Sequence, residues 1–123
     1  MTINTGCTDD VALGGDGNII FSNYSENVLK TFDKSGKMLF KYSHKELMMP
    51  YGLTVDGHGN IFVNGHNSNN IHIVSNDGKT VRILKGVHNP LCIKFLRGTY
   101  RFFVGEDGGG VLSRRPSGLR KTI

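Results

Sequence analysis

The sequence predicts an all-β fold, a partial β-propeller of about three four-stranded antiparallel blades, and three observations lead there. Glycine occupies 17 of 123 positions against 3 for proline, about twice its usual share of roughly 7%. With no sustained helical pattern, that density signals many tight turns between short strands. The chain also repeats itself at an offset of 42 residues, and each copy divides at turn residues into four short apolar runs.

The repeat is direct. DGNIIFSNYSENVLKTFDKSGK, residues 16–37, lies without a gap on HGNIFVNGHNSNNIHIVSNDGK, residues 58–79. Gly17/Gly59, Asn18/Asn60, Ile19/Ile61, Asn27/Asn69, Gly36/Gly78 and Lys37/Lys79 are identical pairs, and Phe21/Val63, Leu29/Ile71 and Phe32/Val74 stay apolar. A weaker third copy sets Pro50–Val55 against Pro90–Phe95 and Ile61–Val63 against Phe102–Val104.

Within the middle copy the expected strands are Gly52–Val55, Ile61–Asn64, Asn70–Val74 and Thr80–Leu84. They are separated by the turn Asp56–Gly59, the polar loop Gly65–Asn69 and the turn Asn76–Gly78. Alternation places Ile71 and Ile73 inward, with His72 and Arg82 facing water. The earlier copy reads as Val11–Leu13, Asn18–Phe21, Val28–Phe32 and Met38–Tyr42. Four antiparallel strands in about 40 residues, repeated, make a propeller blade. The expected blades are 8–47, 50–87 and 90–112. The pattern stops at Leu112, because Pro116 cannot serve inside a ladder, so 113–123 is expected to be a basic, disordered tail.

The unit Pro50-x-Gly52-Leu53-x-Val55-Asp56, then Gly59-Asn60-Ile61-Phe62-Val63, then Asn69-Asn70-Ile71, resembles an NHL repeat. Over residues 5–112 the chain resembles the C-terminal half of the NHL propeller of tripartite-motif (TRIM-NHL) proteins. The Trp-Asp and Gly-His signatures of WD40 repeats are missing, and the sequence has no Trp. The resemblance implies a six-bladed propeller, of which this length supplies half, and partner recognition for a ubiquitin ligase. The zinc-binding and coiled-coil parts of such a ligase have no counterpart here. Three situations would account for the half: a fragment of a longer protein, a dimer of two halves, or a truncated paralogue.

Composition narrows the setting. Cys7 and Cys92 stand far apart, which supports neither a zinc site nor a disulfide framework and fits reduced, intracellular thiols. No signal peptide and no apolar run of about 20 residues is visible, so a cytoplasmic protein without membrane contact is expected. The net charge of +5 is uneven. Residues 1–112 hold 11 Lys and Arg against 10 Asp and Glu, and the excess sits in Arg114, Arg115, Arg120 and Lys121. A neutral body with a basic tail reads as a solvated end rather than a nucleic-acid reader.

Catalytic signatures are weak. His44, His58, His66, His72 and His88 show no ligand spacing, GGDGN at 14–18 is a turn, and GEDGGGV at 105–111 opens no helix. Neither a metal nor another cofactor is expected, and a metal-dependent lactonase- or lyase-like propeller enzyme is the least favoured reading.

The stronger expectation is a binding face on one rim, where the loops joining second to third strands and each fourth strand to the next first strand gather. Its candidates are Tyr24, His44, Lys45, Tyr51, His66, Asn67, Lys85 and His88, whose aromatic, imidazole, amide and ammonium groups suit a protein or peptide. Single-stranded RNA is the alternative partner.

Overall fold

The computed structural model describes residues 10–14 and 16–115. β1 (Asp10–Leu13), β2 (Ile19–Asn23), β3 (Val28–Phe32) and β4 (Met38–Tyr42) form one antiparallel sheet in chain order. A second is built in the same way from β5 (Pro50–Val55), β6 (Ile61–Gly65), β7 (Asn70–Val74) and β8 (Val81–Lys85). The third holds β9 (Pro90–Phe95), β10 (Phe102–Glu106) and β11 (Val111–Arg114). The strands expected over Val28–Phe32, Met38–Tyr42 and Asn70–Val74 are found at those bounds, and the others differ by a residue or two at their ends.

The first strands β1, β5 and β9 lie side by side, so the sheets stack about a common centre with β4 and β8 outermost. Three polar contacts join neighbouring sheets near this centre: Ser22 Oγ of β2 donates to Tyr51 O at 2.7 Å, Leu53 N to Asp10 Oδ2 at 3.1 Å, and Phe95 N to Thr54 Oγ1 at 3.2 Å. Gly52 permits this approach, since a Cβ there would stand 2.8 Å from Cys92 Cα and 3.0 Å from Leu91 O.

The middle sheet is buried on both faces. Toward the first sheet, Leu53, Ile61, Val63 and Val74 pack on Ile20, Leu29, Tyr42 and Leu47. Toward the third, Phe62, Ile71, Ile73 and Leu84 pack on Ile93, Phe102 and Val104, with the Phe62 and Phe102 rings 5.2 Å apart. A period-two strand shows alternate residues to opposite faces, and a stacked sheet has a neighbour on each.

That geometry corrects one expectation. His72 does not face water: it is fully buried, paired across the ladder with Val63 on the face that meets the first sheet. Arg82 is exposed as expected.

A second correction falls at the third sheet. β11 continues through Ser113 and Arg114, and Arg114 Nη1 donates to Lys85 O at 2.6 Å. The blade therefore extends beyond Leu112 and is tied to its neighbour, while the remainder of the expected tail, 116–123, lies outside the described residues.

Candidate functional site

One rim, here the upper, collects the β2–β3, β4–β5, β6–β7, β8–β9 and β10–β11 connections. Its frame is a repeated asparagine clasp. Asn27 and Asn69 both adopt left-handed backbone, φ 60° and 54°, a conformation asparagine tolerates better than most residues. Asn27 Oδ1 accepts from Met49 N at 2.8 Å, and Asn69 Oδ1 accepts from Asn89 N at 2.8 Å. Met49 and Asn89 are themselves left-handed, φ 53° and 41°, and each precedes the proline that opens the next inner strand. Further bonds hold the loops together: Ser68 Oγ accepts from Met48 N at 3.0 Å, while His66 N and Asn67 N donate to Met49 O and Met48 O at 3.1 Å.

On this frame three of the expected residues form a row. Tyr24 meets Tyr51 edge-on with ring centroids 5.9 Å apart, and Tyr51 lies tilted against His66 at 4.9 Å. His66 Nδ1 is 3.3 Å from Pro90 O. Tyr24 is 38% exposed and Met48 beside the clasp 43% exposed, so the row offers accessible aromatic and thioether surface. Asn67 stands exposed at its end.

The other expected residues divide between two places. His44 lies against Tyr42 and His72, its centroid 5.4 Å from the His72 ring, and its Nδ1 accepts from Glu46 N at 3.0 Å. Lys85 pairs with Glu46 at 3.4 Å, and Lys45 is exposed nearby in sequence. His88 is exposed in the β8–β9 loop, where its backbone nitrogen donates to Glu106 Oε2 at 2.7 Å. The eight candidates thus form one aromatic group, one group about Glu46 and one outlying histidine.

Behind the Glu46 group is a buried pair that the sequence reading missed. Tyr42 Oη and His72 Nδ1 are 2.7 Å apart, and His72 Nε2 is 2.9 Å from Glu46 O. A carbonyl can only accept, so Nε2 carries the proton and Tyr42 donates to Nδ1. Desolvation lowers the His72 pKa despite the bond to the Glu46 carbonyl. Burial, with the Glu46 charge adding to it, pushes the Tyr42 phenol up to about 12. The signal for this pair was the 42-residue spacing, which sets His72 where Lys30 stands in the earlier copy, on the face that in the middle sheet meets the first.

Among the described residues no three His, Cys, Asp or Glu side chains gather in a way that could hold a metal ion, and no helix is long and apolar enough to cross a membrane.

Stacked antiparallel sheets about a common centre define the class: this is a partial β-propeller. Solved structures agree. The chain is similar to the WD40 β-propeller domain of Doa1, with a TM-score of 0.78 at 17% identity over 98% of this chain and 40% of that one. It is similar to Kuenenia stuttgartiensis hydrazine synthase, with a TM-score of 0.80 at 17% identity over 94% and 35%. A catalytically inactive virginiamycin B lyase from Staphylococcus aureus gives a TM-score of 0.66 at 20% identity over 94% and 44%. The chain therefore spans well under half of each of these structures, and at such identities the likeness concerns the fold. No protein-family model and no curated protein matches the sequence.

Proposed function

We propose that the chain is a non-enzymatic protein-interaction module, an NHL-type propeller segment of a TRIM-like protein, that docks a peptide of its partner on the upper rim. The observation that carries this reading is the Tyr24–Tyr51–His66 row, three contiguous rings braced by main-chain bonds across sheets. Pre-ordered aromatic side chains bind at low entropic cost and dominate protein interfaces. Charge favours a protein over RNA on this rim, since Glu26, Glu46, Glu106 and Asp107 share it with Lys45 and Lys85.

The module works with further blades. Val11 and Leu13 are 50% and 69% exposed at the repeat positions of Leu53 and Val55, which pack against the preceding sheet. Added blades, from a longer chain or a second copy, would cover them.

Selection of a displayed random-peptide library on the full chain tests the proposal. Selected peptides should lose about tenfold or more in affinity on Tyr51→Ala and on His66→Ala and keep it on Lys34→Ala at the opposite end. Peptides indifferent to both ring substitutions would sink the reading.

A further inference from the structure

Charge in the folded region is segregated along the chain. Between Asp77 and Glu106 the sequence holds Lys79, Arg82, Lys85, Lys94, Arg97 and Arg101 and no acid. Lys94, Arg97 and Arg101 are all exposed on the β9–β10 hairpin, on the rim opposite the aromatic row. Among the described residues, none of the three has an ion-pair partner.

The hairpin is held in shape by its own bonds. Leu96 N donates to Arg101 O at 3.0 Å, Thr99 N to Leu96 O at 3.2 Å, Thr99 Oγ1 to Leu96 O at 2.9 Å and Arg101 N to Thr99 Oγ1 at 3.0 Å. Arg97 is thereby fixed at the tip, with Gly98 beside it in left-handed conformation, φ 86°.

Lys94 and Arg97 border an open groove of about 1110 Å³ that passes beneath the inner strands of all three sheets. That volume exceeds what a single small anion fills and suits a chain segment. Val55 and Leu96 give it an aliphatic lining that does not depend on Leu13, and Leu96 is among the exposed apolar side chains. The carboxylate within its wall, Asp56, is turned to its own loop. It accepts from His58 N, Asn60 N and Asn60 Nδ2, each at 2.9 Å, and its single negative charge is outnumbered by Lys94 and Arg97.

We propose that this lower groove is a second interaction surface, one that binds an extended acidic peptide segment carrying aliphatic side chains. Cations beside aliphatic surface match a strand whose carboxylate and aliphatic residues alternate, because successive side chains of an extended chain point to opposite sides. Guanidinium groups at the edge pair with carboxylates in a two-toothed geometry. A nucleic-acid strand would also meet the charge, but it binds by stacking successive bases on rings, and the exposed rings of this lining, His58 and Tyr100, come from the turns of two different sheets. The surface is independent of the aromatic row, so either can fail alone.

Fluorescence anisotropy on the full chain tests it, with a fluorescein-labelled peptide of strictly alternating Glu and Leu residues and an oligouridylate of matched charge as probes. The acidic peptide should bind, and weaken as salt rises from about 50 to about 300 mM. Arg97→Glu/Arg101→Glu should weaken it by about tenfold or more, whereas Lys34→Glu/Lys41→Glu, an equal reversal away from the groove, and Tyr51→Ala should leave it unchanged. Both substituted hairpin arginines are exposed, and an unchanged circular dichroism spectrum shows that the fold survives. Failure of the peptide to bind, equal loss in the two charge-reversed variants, or tighter Arg97/Arg101-dependent binding of oligouridylate would each overturn the proposal.

Discussion

Asn69 Oδ1 accepts a 2.8 Å hydrogen bond from the backbone nitrogen of Asn89, and one repeat earlier Asn27 Oδ1 makes the same bond, at the same length, to Met49. Each bond fixes the loop of one blade to the residue that starts the next. Two demands meet at these asparagines, an acceptor at the tip and tolerance of positive φ.

Asn69→Ala should therefore lose both and destabilise the fold by about 1–2 kcal/mol. Asn69→Gly, which loses only the acceptor, should cost less. Urea unfolding of the two variants measures the difference, and equal losses would show that backbone conformation plays no part.

Gly52→Ala should cost about 1–3 kcal/mol through overpacking, because the new methyl meets Asn64 Nδ2 at 2.9 Å and also backbone of β9 at 2.8 and 3.0 Å, which cannot turn aside as a side chain can. Gly57→Ala, where a Cβ meets nothing within 4 Å, is the matched control for the same unfolding measurement.

Stability should fall at both ends of the pH range through the Tyr42–His72 pair. The His72 pKa is lowered in the folded state, so the unfolded chain takes up that proton first, and stability drops as pH falls below about 6.5. The Tyr42 phenol is pushed up to about 12, so the unfolded chain loses its proton first, and stability drops as pH rises from about 10 toward 12. In thermal melts across pH, His72→Gln should flatten the acid limb and Tyr42→Phe the alkaline one.

Phe102 and Arg114 separate two ways of holding the third blade. Phe102 is fully buried against Phe62, and Phe102→Ala should cost about 3–5 kcal/mol. Arg114, half-buried, makes a solvent-exposed bond to Lys85 O, and Arg114→Ala should stay within about 1 kcal/mol. A comparable loss in both variants would mean that the guanidinium, rather than the apolar contact, seats the blade.

Much of this architecture was legible in the residues. The offset of 42, the turn glycines and the four apolar runs per copy located every strand of the first two sheets to within a residue or two, because turn chemistry and side-chain period are local properties; β11 was not foreseen. The loop positions also placed Tyr24, Tyr51, His66 and Asn67 on one rim. What could not be read was which of them touch. Tyr51 and His66 are joined by the way β5 enters beside the β6–β7 loop, while His44 is drawn instead to Tyr42 and His72.

His72 shows the dividing line most clearly. The sequence by itself determined that residue 72 alternates with Ile71 and Ile73 in a strand, and that much holds. Only the tertiary structure decided where the alternate face looks, because period two specifies opposite faces but not what covers them. The neighbouring sheet covers this one, and a histidine read as solvated is desolvated, bonded at both nitrogens and built into the seam between two blades. The same reason applies to the groove beneath Arg97: a run of cations is written in the chain, but stacking about a common centre brings it beside Leu13, some eighty residues away in sequence.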